Sequence, residues 1–385
     1  MKKGAVWASE WKTYKDPKTG VTVTQLTNYK GHSHHLYFTN NGWYDNGNKL
    51  LFGSDRNNFS NLFSIDLRSG EITQLTDLEP VAAPHEIEFL GACVNPMRDE
   101  AYFWYDRKII AIDLTNLKER VLYQMPERFL GSIMNVTADG KYVCTSIVED
   151  LSDRIKIDYL NGYVGFKETF EMKPLSKIIR VSTDNGETEV IHENRVWIGH
   201  VNTSPTQADI LTFCHEGPWH LVDNRIWGLN IRTGETWMIR PRTEPEERVG
   251  HEYWHADGIH IGYHGQHTNG DKFFGKIRYD NTGCEEVSFP FHTGHIHSND
   301  YSLIVGDGQV GTTSIRLWKW NGQQFDGPRI LCEHRGSFHV QKLHVHPRFN
   351  GKGDKVLFTS DKSGYGNLYL ADVPDFYSLP AIEGN

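Results

Sequence analysis

Short runs of apolar residues, broken by polar turns, recur along the whole chain. The clearest run is Asn48-Lys49-Leu50-Leu51-Phe52-Gly53-Ser54-Asp55-Arg56, followed by Asn61-Leu62-Phe63-Ser64-Ile65-Asp66-Leu67 and the turn Ser69-Gly70-Glu71. It returns near the end as Asp354-Lys355-Val356-Leu357-Phe358-Thr359-Ser360-Asp361-Lys362, then Asn367-Leu368-Tyr369-Leu370-Ala371-Asp372. Weaker copies stand at Ala101–Trp104 with Ile109–Leu114, and at Ile210–Phe213 with Arg225–Ile231 and the turn Thr233-Gly234-Glu235. Apolar runs of this length between Gly, Asn and Asp turns read as strands joined by hairpins. A four-stranded unit of about 40–50 residues is the blade of a β-propeller.

A second phrase marks the start of each unit: an apolar residue, then Gly, then a variable residue. It reads Leu90-Gly91-Ala92, Leu130-Gly131-Ser132, Ile198-Gly199-His200 and Val249-Gly250-His251; Thr293-Gly294-His295 keeps the Gly. With the first copy near Tyr37 and the last at Leu343-His344, the pattern predicts an all-β, seven-bladed β-propeller forming a single domain over 1–385. The expected blades span roughly 30–80, 81–125, 126–193, 194–243, 244–291, 292–336 and 337–377. The segment Val21–Thr27 resembles the strand Ile72–Thr76 and is expected to complete the last blade, leaving no open edge. The third unit is long, and Asp150–Glu171 is expected to be a charged insertion on a loop.

Composition agrees with a turn-rich β protein: aromatics are 12% of the 385 residues and Gly numbers 36. The net charge of −9 and the lack of a basic run argue against a nucleic-acid partner. Neither a secretory leader pattern nor an apolar run of about 18 residues is present, so no membrane partner and a cytoplasmic location are expected. The five cysteines have no metal or disulfide spacing and read as free buried thiols.

The variable slot holds histidine in successive units: His200, His251, His295 and His344. In a propeller the first strand of each blade lines the central channel, so these rings are expected to converge. His192 and His334 fall outside the pattern and read as structural. In Gln341-Lys342-Leu343-His344-Val345-His346-Pro347, residues 344 and 346 share a face if the segment is a strand, and Gln341 needs a turn or bulge to join them. Imidazoles so placed suit a divalent metal. The segment Cys214-His215-Glu216-Gly217-Pro218-Trp219-His220-Leu221-Val222-Asp223-Asn224-Arg225 crowds histidines, acids and an arginine into one stretch, and Arg225 suits carboxylate binding.

At these residues, together with Leu50–Gly53, His251-Glu252-Tyr253-Trp254 and His295 with Ser298-Asn299, the chain resembles the oligogalacturonate lyases, pectin-degrading propeller enzymes. The resemblance implies manganese, or another divalent metal, on His295, Gln341, His344 and His346, with His297 a competitor of His295. It implies His251 as the base, Arg225 as a catalytic and substrate-holding cation, and His200, His215 and His220 as substrate neighbours. The implied reaction is β-elimination of a short acidic oligosaccharide. Two other readings stand beside it. One is a glycoside hydrolase using Glu216 and Asp223. The other is a non-enzymatic propeller of the TolB type that binds a glycan or protein.

Overall fold

The computed structural model describes residues 2–82, 88–159, 162–289 and 292–382. Antiparallel strands form seven sheets, one for each predicted unit. The fold is a seven-bladed β-propeller. The sheets fall at 33–74, 93–124, 129–195, 198–239, 248–288, 296–333 and 348–372; each lies inside its expected unit, except that the third runs two residues past it.

Thr22–Gln25 pairs with Asn367–Asp372, as expected for a last blade completed from the N-terminus. Two further strands extend this beyond the expectation. Lys12–Lys15 adds an outer strand to the seventh sheet, and Val6–Trp7 pairs with Ile72–Gln74 at the edge of the first. The chain divides into two compact units: Met1–Pro80 with Val287–Asn385, carrying sheets one, six and seven, and Val81–Glu286, carrying sheets two to five.

Apolar residues at alternate strand positions bury themselves between neighbouring sheets. Cys93, Tyr102, Met134, Val143 and Ile179 fill the space between the second and third sheets. Val305, Leu317, Val356, Phe358 and Tyr369 do the same between the sixth and seventh. Each large buried side chain stabilises the fold by roughly 1.5–3 kcal/mol. The turns repeat as well. Asp66 Oδ1 accepts hydrogen bonds from the backbone N–H of Arg68 and Ser69, and Asn230 Oδ1 does so from Arg232 and Thr233. Asp113 makes the same turn with Thr115 and Asn116. Such side-chain caps hold hairpins in register.

The apolar-Gly-x phrase proves to be a β-bulge in three consecutive sheets. The register shifts between Gly131 and Met134, between Ile198 and Val201, and between Gly250 and Tyr253. A bulge re-aims the side chain it carries. The glycine is needed because another group packs on it. A Cβ on Gly131 would meet the Trp104 ring at 2.4 Å, and one on Gly250 the Trp219 ring at 2.3 Å.

The insertion in the third unit is partly helical. Phe166–Met172 forms a helix, and Phe166 and Tyr159 pack on Trp197. Four cysteines are buried and free, but Cys284 is exposed, contrary to expectation, because it sits in the turn before an edge strand. Among the described residues, no helix is long and apolar enough to cross a membrane.

Candidate functional site

In the unit holding sheets one, six and seven, three of the predicted histidines meet. One ring nitrogen each of His295, His344 and His346 lies within 4.8 Å of the others. His295 comes just before the strand Ile296–His297 and is fixed twice by Asp307. Oδ1 of Asp307 accepts from its backbone N–H at 2.9 Å, and Oδ2 lies 2.7 Å from its Nδ1. His344 follows the 3-10 turn Gln341–Leu343, whose first carbonyl accepts from the His344 N–H at 3.1 Å. Gln341 opens this turn, three residues before His344.

His344-Val345-His346 is not a strand, contrary to expectation. His346 has φ 44°, a left-handed conformation, and this backbone turn brings its ring to 4.2 Å from that of His295. The carbonyl of His346 is held by His35 Nε2 at 2.7 Å, and Tyr37 packs on its ring.

These residues fit a divalent metal. Among the described residues, Nδ1 of His344 is buried with no hydrogen-bond partner. Burial, with His295 adding to it, pushes the His344 pKa down to about 4, so the ring is neutral at pH 7. A neutral imidazole offers a lone pair. His297 is set apart from the trio: its Nδ1 accepts from the backbone N–H of Phe349 at 3.3 Å.

The unit holding sheets two to five carries the other predicted residues. Arg225 is buried between two carboxylates: Nε donates to Glu252 Oε2 at 3.1 Å and Nη1 to Glu216 Oε1 at 2.7 Å. Among the described residues, its remaining terminal nitrogen, Nη2, donates to nothing. Burial pushes the Glu252 carboxyl up, but Arg225 and His200 outweigh it and hold it at about 2. The His200 ring stands between the two acids, 3.6 Å from Glu252 and 4.0 Å from Glu216.

His251 sits on the bulge of the fifth sheet with φ 52°. Its Nδ1 is 2.9 Å from Nε2 of His264 on the adjacent strand, and the two rings stack at 5.2 Å. Trp219 packs against both at near-right angles. A non-glycine residue at positive φ inside a strand is strained, at about 1–3 kcal/mol.

His215 is tied to Asp223 at 2.8 Å and stacked on Trp227 at 4.7 Å. Among the described residues, the ring of His220 is engaged in no hydrogen bond or ring contact, and its carbonyl accepts from Arg242. Asp307, His35, Glu252 and His264 were not singled out from the sequence. Glu252 alone stood beside a marked residue.

A family model described as oligogalacturonate lyase matches residues 1–377. The chain belongs to the oligogalacturonate lyase family. Its membership makes it an enzyme, a polysaccharide lyase. The oligogalacturonide lyase of Pectobacterium atrosepticum is 30% identical over 97% of this chain and 99% of the relative. The oligogalacturonate lyase of Dickeya dadantii is 29% identical over 97% of this chain and 99% of its own length. A solved oligogalacturonate lyase in complex with manganese superposes with a TM-score of 0.87 at 28% identity, over 97% of this chain and 99% of that one. The Vibrio parahaemolyticus family member gives the same TM-score and identity, over 97% and 100%. The non-enzymatic propeller reading is thereby set aside.

Proposed function

We propose that this lyase cleaves short oligogalacturonides, digalacturonate among them, by metal-dependent β-elimination, the whole chain acting as one propeller domain. The observation that carries the reading is the trio of histidine nitrogens with its oriented His295 and its buried, unpartnered His344 nitrogen. A divalent metal on His295, His344 and His346, joined by Gln341, supplies Lewis-acid neutralisation of the substrate carboxylate; manganese, named in the solved relative, fits these donors, as do other divalent ions.

His251 acts as the base through Nε2, taking the proton at C5 of the galacturonate. The electron pair left behind forms a C4–C5 double bond as the C4–O bond breaks. The departing oxygen, once protonated, becomes the new reducing end. Arg225 holds the substrate through Nη2, and its two carboxylate partners keep the guanidinium in one orientation. His200 stands beside Arg225 as a substrate contact, with His215 and His220 further along the same segment.

The hydrolase reading needs a protonated acid and a second free carboxylate. Glu216 is committed to Arg225. Asp223, raised by burial but lowered more by His215 and its backbone contacts, stays ionised. Neither serves as the acid.

The test is to incubate metal-stripped protein with digalacturonate, with and without manganese, and to identify the products by mass spectrometry. Dehydrated uronate or its keto isomer, formed only with metal, supports the lyase. Products carrying an added water move the case to hydrolysis. No turnover with any divalent metal removes this substrate.

A further inference from the structure

A separation of 2.9 Å between His251 Nδ1 and His264 Nε2 requires one proton and one lone pair along the line. Two arrangements satisfy it. If His264 donates, His251 accepts at Nδ1, and its neutral ring carries its proton on Nε2. That ring has no lone pair left for a substrate proton. If His251 donates from Nδ1, its Nε2 is the bare nitrogen. Only the second arrangement leaves a base.

We propose that His264 is a positioning residue that holds His251 in the Nδ1–H tautomer. The inference rests on the reading of His251 as the base. His264 Nε2 accepts the Nδ1–H, and the proton taken from substrate then lands on Nε2 of His251. The ring becomes an imidazolium, and its bond to His264 becomes charge-assisted, which strengthens it as the reaction proceeds. A carboxylate in this place would hold the same tautomer but would also attract the proton and raise the basicity of the ring. A neutral imidazole sets the tautomer without that charge.

The surroundings keep the arrangement rigid. His264 lies on the strand His260–Gln266, opposite Gly250 in the ladder, so the partner strand places its ring directly beside the bulge. The bulge turns His251 to φ 52°, which stacks the two rings instead of passing them to opposite faces. Trp219 lies on Gly250 and packs on both imidazoles.

Three variants test it in manganese-loaded protein: His264→Phe, which keeps a ring and removes the acceptor; His264→Gln, whose amide oxygen can accept at a similar reach; and His264→Phe combined with His251→Ala. Thermal melts and metal content of each are recorded with kcat and KM for digalacturonate. His264→Phe is expected to lower kcat about 10–100-fold, as loss of an outer orienting partner does, with KM little changed. His264→Gln is expected to recover most of the loss. Adding His264→Phe to His251→Ala is expected to cost nothing further. Nitrogen-15 spectra of His251 are expected to show a protonated Nδ1 in the parent and a shift towards Nε2–H in His264→Phe. An unchanged kcat in His264→Phe, equal damage from Gln and Phe, or a further loss in the double variant overturns the proposal. Full activity in His251→Ala alone instead removes the base reading beneath it.

Discussion

Oδ2 of Asp307, a fully buried carboxylate, lies 2.7 Å from Nδ1 of His295. The carboxylate fixes which ring nitrogen carries the proton and turns the other towards His344 and His346. Asp307→Asn keeps the shape but makes a poorer acceptor. Metal affinity, measured by titration against a chelator, is expected to fall about 10–100-fold with the fold intact. Unchanged affinity would show that Asp307 serves only to hold the loop.

Within the trio itself, His344→Ala removes a nitrogen that is buried and has no other partner. Bound metal, measured by elemental analysis after gel filtration, is expected to drop below one tenth of the parent's. Thermal melts of the metal-free protein are recorded beside it, because the ring also packs on Phe338. A variant that keeps its full metal content would move the site elsewhere.

Arg225 carries a structural load besides the role proposed for it. Arg225→Ala leaves Glu216 and Glu252 buried with one countercharge fewer, which costs about 3–5 kcal/mol. Denaturant melts are expected to show that loss. Arg225→Lys keeps the charge but cannot reach both acids in a fork, so it is expected to fall between the two. Loss of activity in Arg225→Ala must therefore be read beside its melt.

Acid is expected to weaken the fold from below pH 6.5. His334 is buried and accepts from the Gly336 N–H at Nδ1 while its Nε2 donates to the Asp307 carbonyl. The ring is thus held neutral, with burial pushing its pKa down to about 4. The folded value lies below the unfolded one of about 6.5, so its contribution is complete above pH 6.5 and is lost as pH falls towards 4. Glu252 follows lower down: its contribution is present above its unfolded value and is lost as pH falls towards 2. Each step is on the order of a few kcal/mol. Equal denaturant midpoints at pH 7 and pH 5 would contradict the first step.

The repeat was readable because each blade writes its strands as apolar alternation and its hairpins as Asp or Asn turns. The histidine slot was readable too, although its cause was not: the glycine before it accommodates a ring or carboxylate from elsewhere, as Trp219 does at Gly250. Residues that act from a neighbouring strand stayed hidden. His264 is 13 residues from His251 and carries no motif, and Asp307 is 12 from His295. Ladder register decides both meetings, and no local pattern states it. The face shared by His344 and His346 was foreseen for the wrong reason, since a left-handed residue produces it where a strand was expected. The strand Val6–Trp7 escaped notice because two residues carry no periodicity.

The pairing of Thr22–Gln25 with Asn367–Asp372 has a consequence in time. Residues 12–25 leave the ribosome well before Asn367–Asp372, the strand they need. At about 5–20 residues per second the wait is on the order of tens of seconds. The charged, alternating surface of Lys12, Thr13, Lys15, Thr22 and Thr24 keeps this waiting ribbon hydrated, so the early segment tolerates delay before its late partner arrives.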